Sequence, residues 1–269
     1  MIEKQVKAAA DKIRSSKKYR DLDIPFEIIT SLIIQETTRF KDNSQAIQSA
    51  KRKLHNIIAP YLDTLDYAFW NQKLASLPES PKEEDLQNIS QEILSHHDST
   101  RERLPYMVGF YQSIRRVCPQ PNMILDLACG LNPFALPFMG FKQTSDYYAY
   151  DIHTPRVELI NRFFSKIRRT PLAEIRDVFL NPPEIKAEAA FFFKEAHRME
   201  KRQAGASRAL LQSLHVKYVF LSLPNHSLGG KRDLRLRMRT LANSIFAGES
   251  INEIFFPVET IYWVERSYV

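Results

Sequence analysis

Cysteine is scarce: the chain of 269 residues carries two, Cys118 and Cys129. They form neither a C-x-x-C pair nor the Cys/His spacing of a zinc site, so a disulfide framework and a metal centre are not expected, and both thiols read as packing residues in a reducing compartment. Long apolar runs are missing as well. No stretch of about eighteen apolar residues occurs, which argues against a membrane-spanning helix, and the opening MIEKQVKAAADKIR is too polar for a signal peptide. A cytoplasmic protein is expected. Also lacking are a convincing Ser/His/Asp or Cys/His arrangement for nucleophilic catalysis and the three-glycine turn of a dinucleotide site.

What is present is the balance of a globular protein, with 44% hydrophobic and 26% charged residues. The length permits a main domain with an appendage. Net charge is +7, and the cations are clustered: residues 1–20 hold seven Lys/Arg against two acids, and residues 160–240 hold seventeen against seven. Clustered cations suit a polyanion, because each neutralised phosphate releases counterions. They equally suit a solvated basic surface.

From residue 4 to about 117 apolar residues recur at three- and four-residue spacing, as in Ile28, Leu32 and Ile33 or Ile47 and Leu54. The spacing predicts helices over 2–16, 25–39, 44–59, 64–76, 83–96 and 100–117, punctuated by Pro25, Pro60, Pro78 and Pro81. The acidic residues 79–85 mark a candidate boundary, giving an N-terminal helical domain over 1–80 and a second domain over 81–269. Two basic patches in the first, residues 16–20 (SKKYR) and 51–55 (KRKLH), mix cations with flat or hydrogen-bonding side chains that suit phosphates and splayed bases. A helix end carrying favourable charge is the structural alternative.

The second domain is organised by residues 123–133, MILDLACGLNP: a short apolar strand, an acid at its end (Asp126) and a turn through Gly130. A second strand, residues 147–150, ends in its own acid, Asp151. In open α/β sheets ligands sit at the carboxyl ends of the strands, and an acid some twenty residues past the glycine turn grips ribose hydroxyls. Pro133 removes a backbone donor that a pyrophosphate would need, so a nucleoside without phosphates fits better. S-adenosylmethionine is the common ligand of this kind. Further strands are predicted over 173–178, 189–193, 218–223, 253–258 and 260–264, with helices over 156–168, 198–214 and 234–246. The expected fold class is therefore α/β: a Rossmann-like methyltransferase with a seven-stranded mixed sheet ending in an antiparallel hairpin, preceded by a helical bundle. The tetrad Asn181-Pro182-Pro183-Glu184 lacks the terminal aromatic of amine-methylating enzymes and precedes the fourth strand, so it reads as a proline turn.

Several ordered motifs carry a family resemblance: residues 97–104 (HDSTRERL), 126–133, Asp151-Ile152-His153, Arg176-Asp177-Val178, Gln203-Ala204-Gly205, residues 210–214 (LLQSL) and residues 227–230 (SLGG). From about residue 15 onward the chain resembles the aminoglycoside-resistance 16S rRNA methyltransferases, the Arm/Rmt, Sgm and FmrO group. The resemblance implies methyl transfer from S-adenosylmethionine to N7 of guanosine 1405 in the small (30S) ribosomal subunit, blocking 4,6-disubstituted deoxystreptamine aminoglycosides. It implies that Thr100 and Arg103 hold the methionyl carboxylate. Asp126, Ala128 and Gly130 would line the cofactor, Asp151 with Ile152 would take the ribose, and Asp177 with Val178 would flank the adenine. Lys194 and Glu200 would stand near the target base. Contacts to rRNA would come from Lys17, Lys18, Arg20, Arg52, Lys53, His55, Lys201, Arg202, Lys231, Arg232, Arg235, Arg237 and Met238.

Two stretches depart from the family pattern. Where its members have K-x-L-P-x-L-E, residues 194–200 read KEAHRME, and after the paired glycines the run is KRDLRLRM. Charge is kept while loop spacing changes. Guanine N7 carries an in-plane lone pair and no proton, so no general base is required. Partners implied are 16S rRNA and no membrane or metal, with a monomer as the default. Two readings stay open beside the leading one: a methyltransferase for another rRNA nucleotide, and a non-catalytic ribosome- or RNA-binding homologue.

Overall fold

The computed structural model describes residues 3–17, 19–20, 24–58 (56–58 by backbone only), 65–227, 230 and 232–267. The chain divides into two compact units: Met1–Asp63 with Ile152–Pro155, and Thr64–Asp151 with Arg156–Val269.

The first unit contains α1 (Glu3–Arg14), α2 (Phe26–Thr37) and α3 (Asn43–Ile58). Their apolar faces follow the expected four-residue spacing: Val6 and Ala10, Ile28 and Leu32, Ile29 and Ile33, Ala50 and Leu54 are all buried together. One charge lies inside. Glu36 is fully buried, and its carboxylate meets Lys53 Nζ at 2.7 Å and Arg39 at 3.5 Å. Burial works to raise its pKa, and hydrogen bonds from Lys53 and Ser49 more than offset it, holding the carboxyl below its ordinary value. This buried pair fixes α2 against α3.

The second unit is a sheet covered on both faces. Ahead of the sheet come α4 (Tyr67–Ser76), α5 (Glu83–Ser95), the single turn α6 (Asp98–Arg101) and α7 (Met107–Val117). Trp70 and Leu74 of α4 share a core with Ile89, Ile93, Phe110 and the sheet, so the acidic residues 79–85 lie inside this unit. The helix expected over 100–117 is interrupted because Pro105 tightens residues Leu104–Tyr106 into a 3-10 turn.

Seven strands follow the order β3-β2-β1-β4-β5-β7-β6, as expected of this fold class. They are β1 (Met123–Leu127), β2 (Asp146–Asp151), β3 (Ala173–Ile175), β4 (Ala187–Phe193), β5 (Val216–Pro224), β6 (Asn252–Phe255) and β7 (Glu259–Glu265). β1 to β5 run parallel; β7 pairs antiparallel with both β5 and β6. The terminal hairpin therefore inserts its second strand next to β5. Between them lie α8 (Leu136–Met139), α9 (Thr154–Lys166), α10 (Ala196–Arg202), α11 (Ala206–Ser213) and α12 (Arg235–Ile245). Successive strand residues face opposite cores: Ile124, Phe191 and Phe220 face α5, α7 and α9, while Leu125, Phe192 and Leu221 face α10, α11 and α12. Both cysteines are buried free thiols.

Two expected elements are shorter than the pattern suggests. β3 stops at Ile175, because the Asp177 side chain accepts the Phe179 N–H at 3.0 Å and turns the chain. The helix expected over 198–214 is two helices, broken at Gly205, whose φ of 79° is left-handed. Residues 181–186 form the proline turn ahead of β4.

Lys53→Met is expected to lower stability by about 2 kcal/mol, because it leaves the buried Glu36 carboxylate with only Arg39 and Ser49 as partners. The double variant Glu36→Met, Lys53→Met is expected to recover most of that loss in urea unfolding. Equal losses in both variants would contradict the pairing.

Candidate cofactor site and basic surface

β1 and β4 are neighbours although β2 and β3 intervene in sequence, so the chain reverses direction across the sheet at this point. Crevices form at the carboxyl ends of strands flanking such a switch. The turn after β1 lies there, with Ala128 at φ 50° and Gly130 at φ 54°. A side chain at Gly130 would meet nothing within 4 Å, so backbone conformation, not space, calls for glycine. Ala128 holds a left-handed conformation that a Cβ disfavours by roughly 1 kcal/mol, strain of the kind concentrated at ligand sites.

Asp151 holds this turn in place. The Cys129 N–H donates to the Tyr150 carbonyl at 2.8 Å. The Gly130 N–H donates to Asp151 Oδ2 at 3.0 Å, and Arg156 Nη1 to the same oxygen at 3.1 Å. Asp151 and Arg156 are both buried, and Ile152, next in the chain, is half-buried.

Beneath the turn runs a buried polar chain. Arg103 Nε and Nη2 donate to the two carboxylate oxygens of Glu259, both at 2.8 Å, and Nη1 donates to Asn132 Oδ1 at 2.8 Å. The Asn132 amide donates to Asp126 Oδ2 at 2.9 Å, which also accepts the Tyr147 hydroxyl at 2.7 Å. The guanidinium sits over Phe110 and Phe193, 4.2 and 4.9 Å from their centroids. Burial disfavours the charge on Arg103, but the Glu259 carboxylate outweighs it and raises the pKa. Glu259 is lowered, with Arg103 overcoming its own desolvation. Thr100 Oγ1 donates to the Leu94 and His97 carbonyls at 2.6 and 3.0 Å, fixing the turn that delivers Arg103.

On the other side of Asp151, Asp177 accepts Arg202 Nη1 at 2.7 Å beside buried Val178. Lys194, with a left-handed φ of 55°, ends β4; its ammonium lies 2.8 Å from Glu102 and 3.9 Å from Glu259. Glu200 accepts the Gly205 and Ser207 N–H groups at 2.7 and 2.9 Å, capping the start of α11. Its carboxylate is thereby engaged with backbone. Burial raises Glu195 to about 7 against the nearby Arg198, while burial and surrounding cations lower His197 to about 4.

The basic residues separate into exposed and engaged sets. Lys17, Arg20, Arg52, Lys201, Arg232, Arg235 and Arg237 are exposed, Arg235 beside Asp233; His55 is half-buried. Lys18 and Lys231 lie outside the described residues. Three of the expected rRNA contacts are engaged within the protein. Lys53 is held by buried Glu36. Arg202 is turned inward to Asp177. Met238 is buried with Ala242 and Ile245 beneath the sheet, since α12 presents its apolar stripe there. Neither Arg202 nor Met238 offers an RNA surface in this arrangement. Among the described residues no group of His, Cys, Asp and Glu is placed to hold a metal ion, and no helix is long and apolar enough to cross a membrane.

Sequence reasoning overlooked Glu259, Asn132, Tyr147 and Arg156. An arginine five residues after a strand-ending acid is a signal for Arg156. Glu259 gives almost none, because its partner stands 156 residues earlier.

Asp126 is fully buried, and desolvation brings its carboxyl up to about 7, with hydrogen bonds from Asn132 and Tyr147 opposing. A raised folded-state pKa means that the folded protein keeps a proton the unfolded chain has lost. Stability therefore falls as pH rises from about 4, the ordinary value, to about 7. Asp126→Asn is expected to make this fall shallower, by up to ~1.4 kcal/mol per pH unit, in denaturation midpoints taken at pH 5, 6 and 7. Identical slopes would contradict the assignment.

The family model for "Ribosomal RNA methyltransferase (FmrO)" matches residues 14–244. The 16S rRNA (guanine(1405)-N(7))-methyltransferase of Micromonospora echinospora is 30% identical over 193 residues, 70% of this chain and 69% of that protein. Among solved structures, the 16S rRNA methylase RmtB is similar at a TM-score of 0.79 and 26% identity, covering 97% of this chain and 98% of that one. The 16S rRNA methyltransferase RmtF, solved in complex with S-adenosyl-L-homocysteine, is similar at 0.70 and 28%, covering 99% and 100%. The chain belongs to the FmrO family of ribosomal RNA methyltransferases.

Proposed function

We propose that the protein transfers a methyl group from S-adenosylmethionine to N7 of guanosine 1405 in the 16S rRNA of the small ribosomal subunit, and so confers aminoglycoside resistance. The observation that carries the cofactor assignment is the left-handed Ala128–Gly130 turn clasped by Asp151 at the switch point. The target nucleotide is taken from the relative of Micromonospora echinospora.

Arg103, whose guanidinium is already held by Glu259 and Asn132, would meet the methionyl carboxylate together with that Glu259 partner, the Gly130 backbone would leave room beside it, Asp151 would accept from ribose, and Asp177 with Val178 would border the adenine. Bound there, S-adenosylmethionine supplies an electrophilic sulfonium methyl to a nitrogen that needs no deprotonation. The chain's task is then alignment and exclusion of water. Lys194, held by Glu102, would act on the target side, supported by the α10–α11 turn that Glu200 shapes. The exposed cations Lys17, Arg20, Arg52, Lys201, Arg232, Arg235 and Arg237 would meet rRNA phosphates. The N-terminal helical domain, expected over 1–80 and compact over Met1–Asp63 with Ile152–Pro155, serves to bind rRNA and the sheet-bearing unit serves as the methyltransferase domain, in a cytoplasmic monomer without metal.

A second reading, methylation of another rRNA nucleotide, is favoured by one feature: within residues 195–199 the polar Glu195, His197 and Arg198 stand half-buried between the buried Ala196 and Met199. The leading reading is tested by calorimetry with S-adenosylmethionine. Wild type is expected to bind, while Asp151→Ala and the size-conserving Asp151→Asn lose the heat of binding. Unchanged binding in both would remove Asp151 from the site. Subunit affinity is expected to fall steeply with salt, at a slope of about −0.7 to −0.9 per phosphate contact; a flat response would contradict the basic surface.

A further inference from the structure

Arg202 uses only part of its hydrogen-bonding capacity. Its Nη1 holds Asp177 at 2.7 Å, yet Nε and Nη2 are buried and have no hydrogen-bond partner. These two N–H groups form the side-on fork of the guanidinium, the fork that Arg103 applies to Glu259. The side chain is 8% exposed, Asp177 is 10% exposed, and the guanidinium lies 4.2 Å from the Phe179 ring centroid. Buried donors without acceptors are costly and uncommon, so a missing ligand atom is the simplest completion.

The surroundings select the ligand's chemistry. A phosphate would bring a further negative charge into this enclosed pair. An added anion is disfavoured, because Asp177 already neutralises the guanidinium and both Asp151 and Asp177 act on neighbouring Glu195. A flat, neutral group with an in-plane acceptor fits. The Asp177–Arg202 pair offers a carboxylate acceptor next to an N–H donor. Adenine presents the complement on either side of its amino group: an N–H beside ring nitrogen N1 or N7.

We propose that Arg202 is a specificity-determining residue for the adenine of the cofactor, donating to a ring nitrogen while its ion pair with Asp177 aims the carboxylate at the exocyclic amine. This rests on the cofactor assignment above. It moves Arg202 from the RNA surface to the nucleoside pocket and gives the ion pair a reading function.

The test compares the full chain and Arg202→Lys, which keeps a charge for Asp177 but lacks the fork. Calorimetry would measure S-adenosylhomocysteine and its 1-deaza and 7-deaza analogues, each lacking one ring acceptor. Wild type is expected to bind one analogue about tenfold more weakly than the parent, and Arg202→Lys to bind all three alike. Undiminished discrimination in Arg202→Lys, or none in wild type, would overturn the proposal. So would unchanged discrimination together with a shallower salt dependence of subunit binding, which would return Arg202 to the RNA. Absence of any parent binding in wild type would instead sink the cofactor assignment itself.

Discussion

The bidentate pair between Arg103 and Glu259 is the constraint on which the site depends. It joins the segment ahead of the sheet to the first residue of β7, and through Asn132 it reaches Asp126 at the end of β1. A guanidinium so deeply buried is tolerable only with its carboxylate partner in place, and breaking such a pair typically costs several kcal/mol. The terminal hairpin is thus more than an edge to the sheet. By inserting β7 beside β5, it delivers the carboxylate that lets a cation stand beneath the glycine turn. Phe110 and Phe193 add faces on which that cation rests.

Charge in this protein is used in two ways. Exposed arginines and lysines sit at residues 17, 20, 52, 201, 232, 235 and 237, where solvent lowers the cost of the charge. Five enclosed ones are matched to acids, Lys53 to Glu36, Arg103 to Glu259, Arg156 to Asp151, Lys194 to Glu102 and Arg202 to Asp177, whereas buried Arg169 donates to the Ser145 and Lys142 carbonyls. Asp151 and Asp177 of the candidate site are therefore held in position by Arg156 and Arg202. The Asp151 carboxylate at the end of β2 clasps backbone, accepting the Gly130 N–H.

Much of this was legible in the sequence, because it is written locally. Apolar runs of strand length with terminal acids located β1 and β2, and four-residue spacing located α2 and α3. What escaped depends on partners distant in the chain. A run such as KRQAG does not disclose that Arg202 turns inward, since that follows from where Asp177 stands after β3. Helical periodicity runs through residues 198–214 without a visible break; only the Glu200 carboxylate capping Ser207, with Gly205 left-handed, divides it. For Met238 the signal was present and passed over. Its spacing to Leu234 and Ala242 continues an apolar stripe, which places it in the core.

The central claim is methyl transfer to one ribosomal nucleotide by alignment alone. Its most direct test is transfer of tritiated methyl from S-adenosylmethionine to purified small ribosomal subunits, with the product mapped by borohydride and aniline cleavage, which reports N7-methylated guanosine. Incorporation with strand scission at guanosine 1405 is expected. Incorporation without that scission would discard the target while keeping the enzyme, and no incorporation in the presence of intact cofactor binding would contradict the claim.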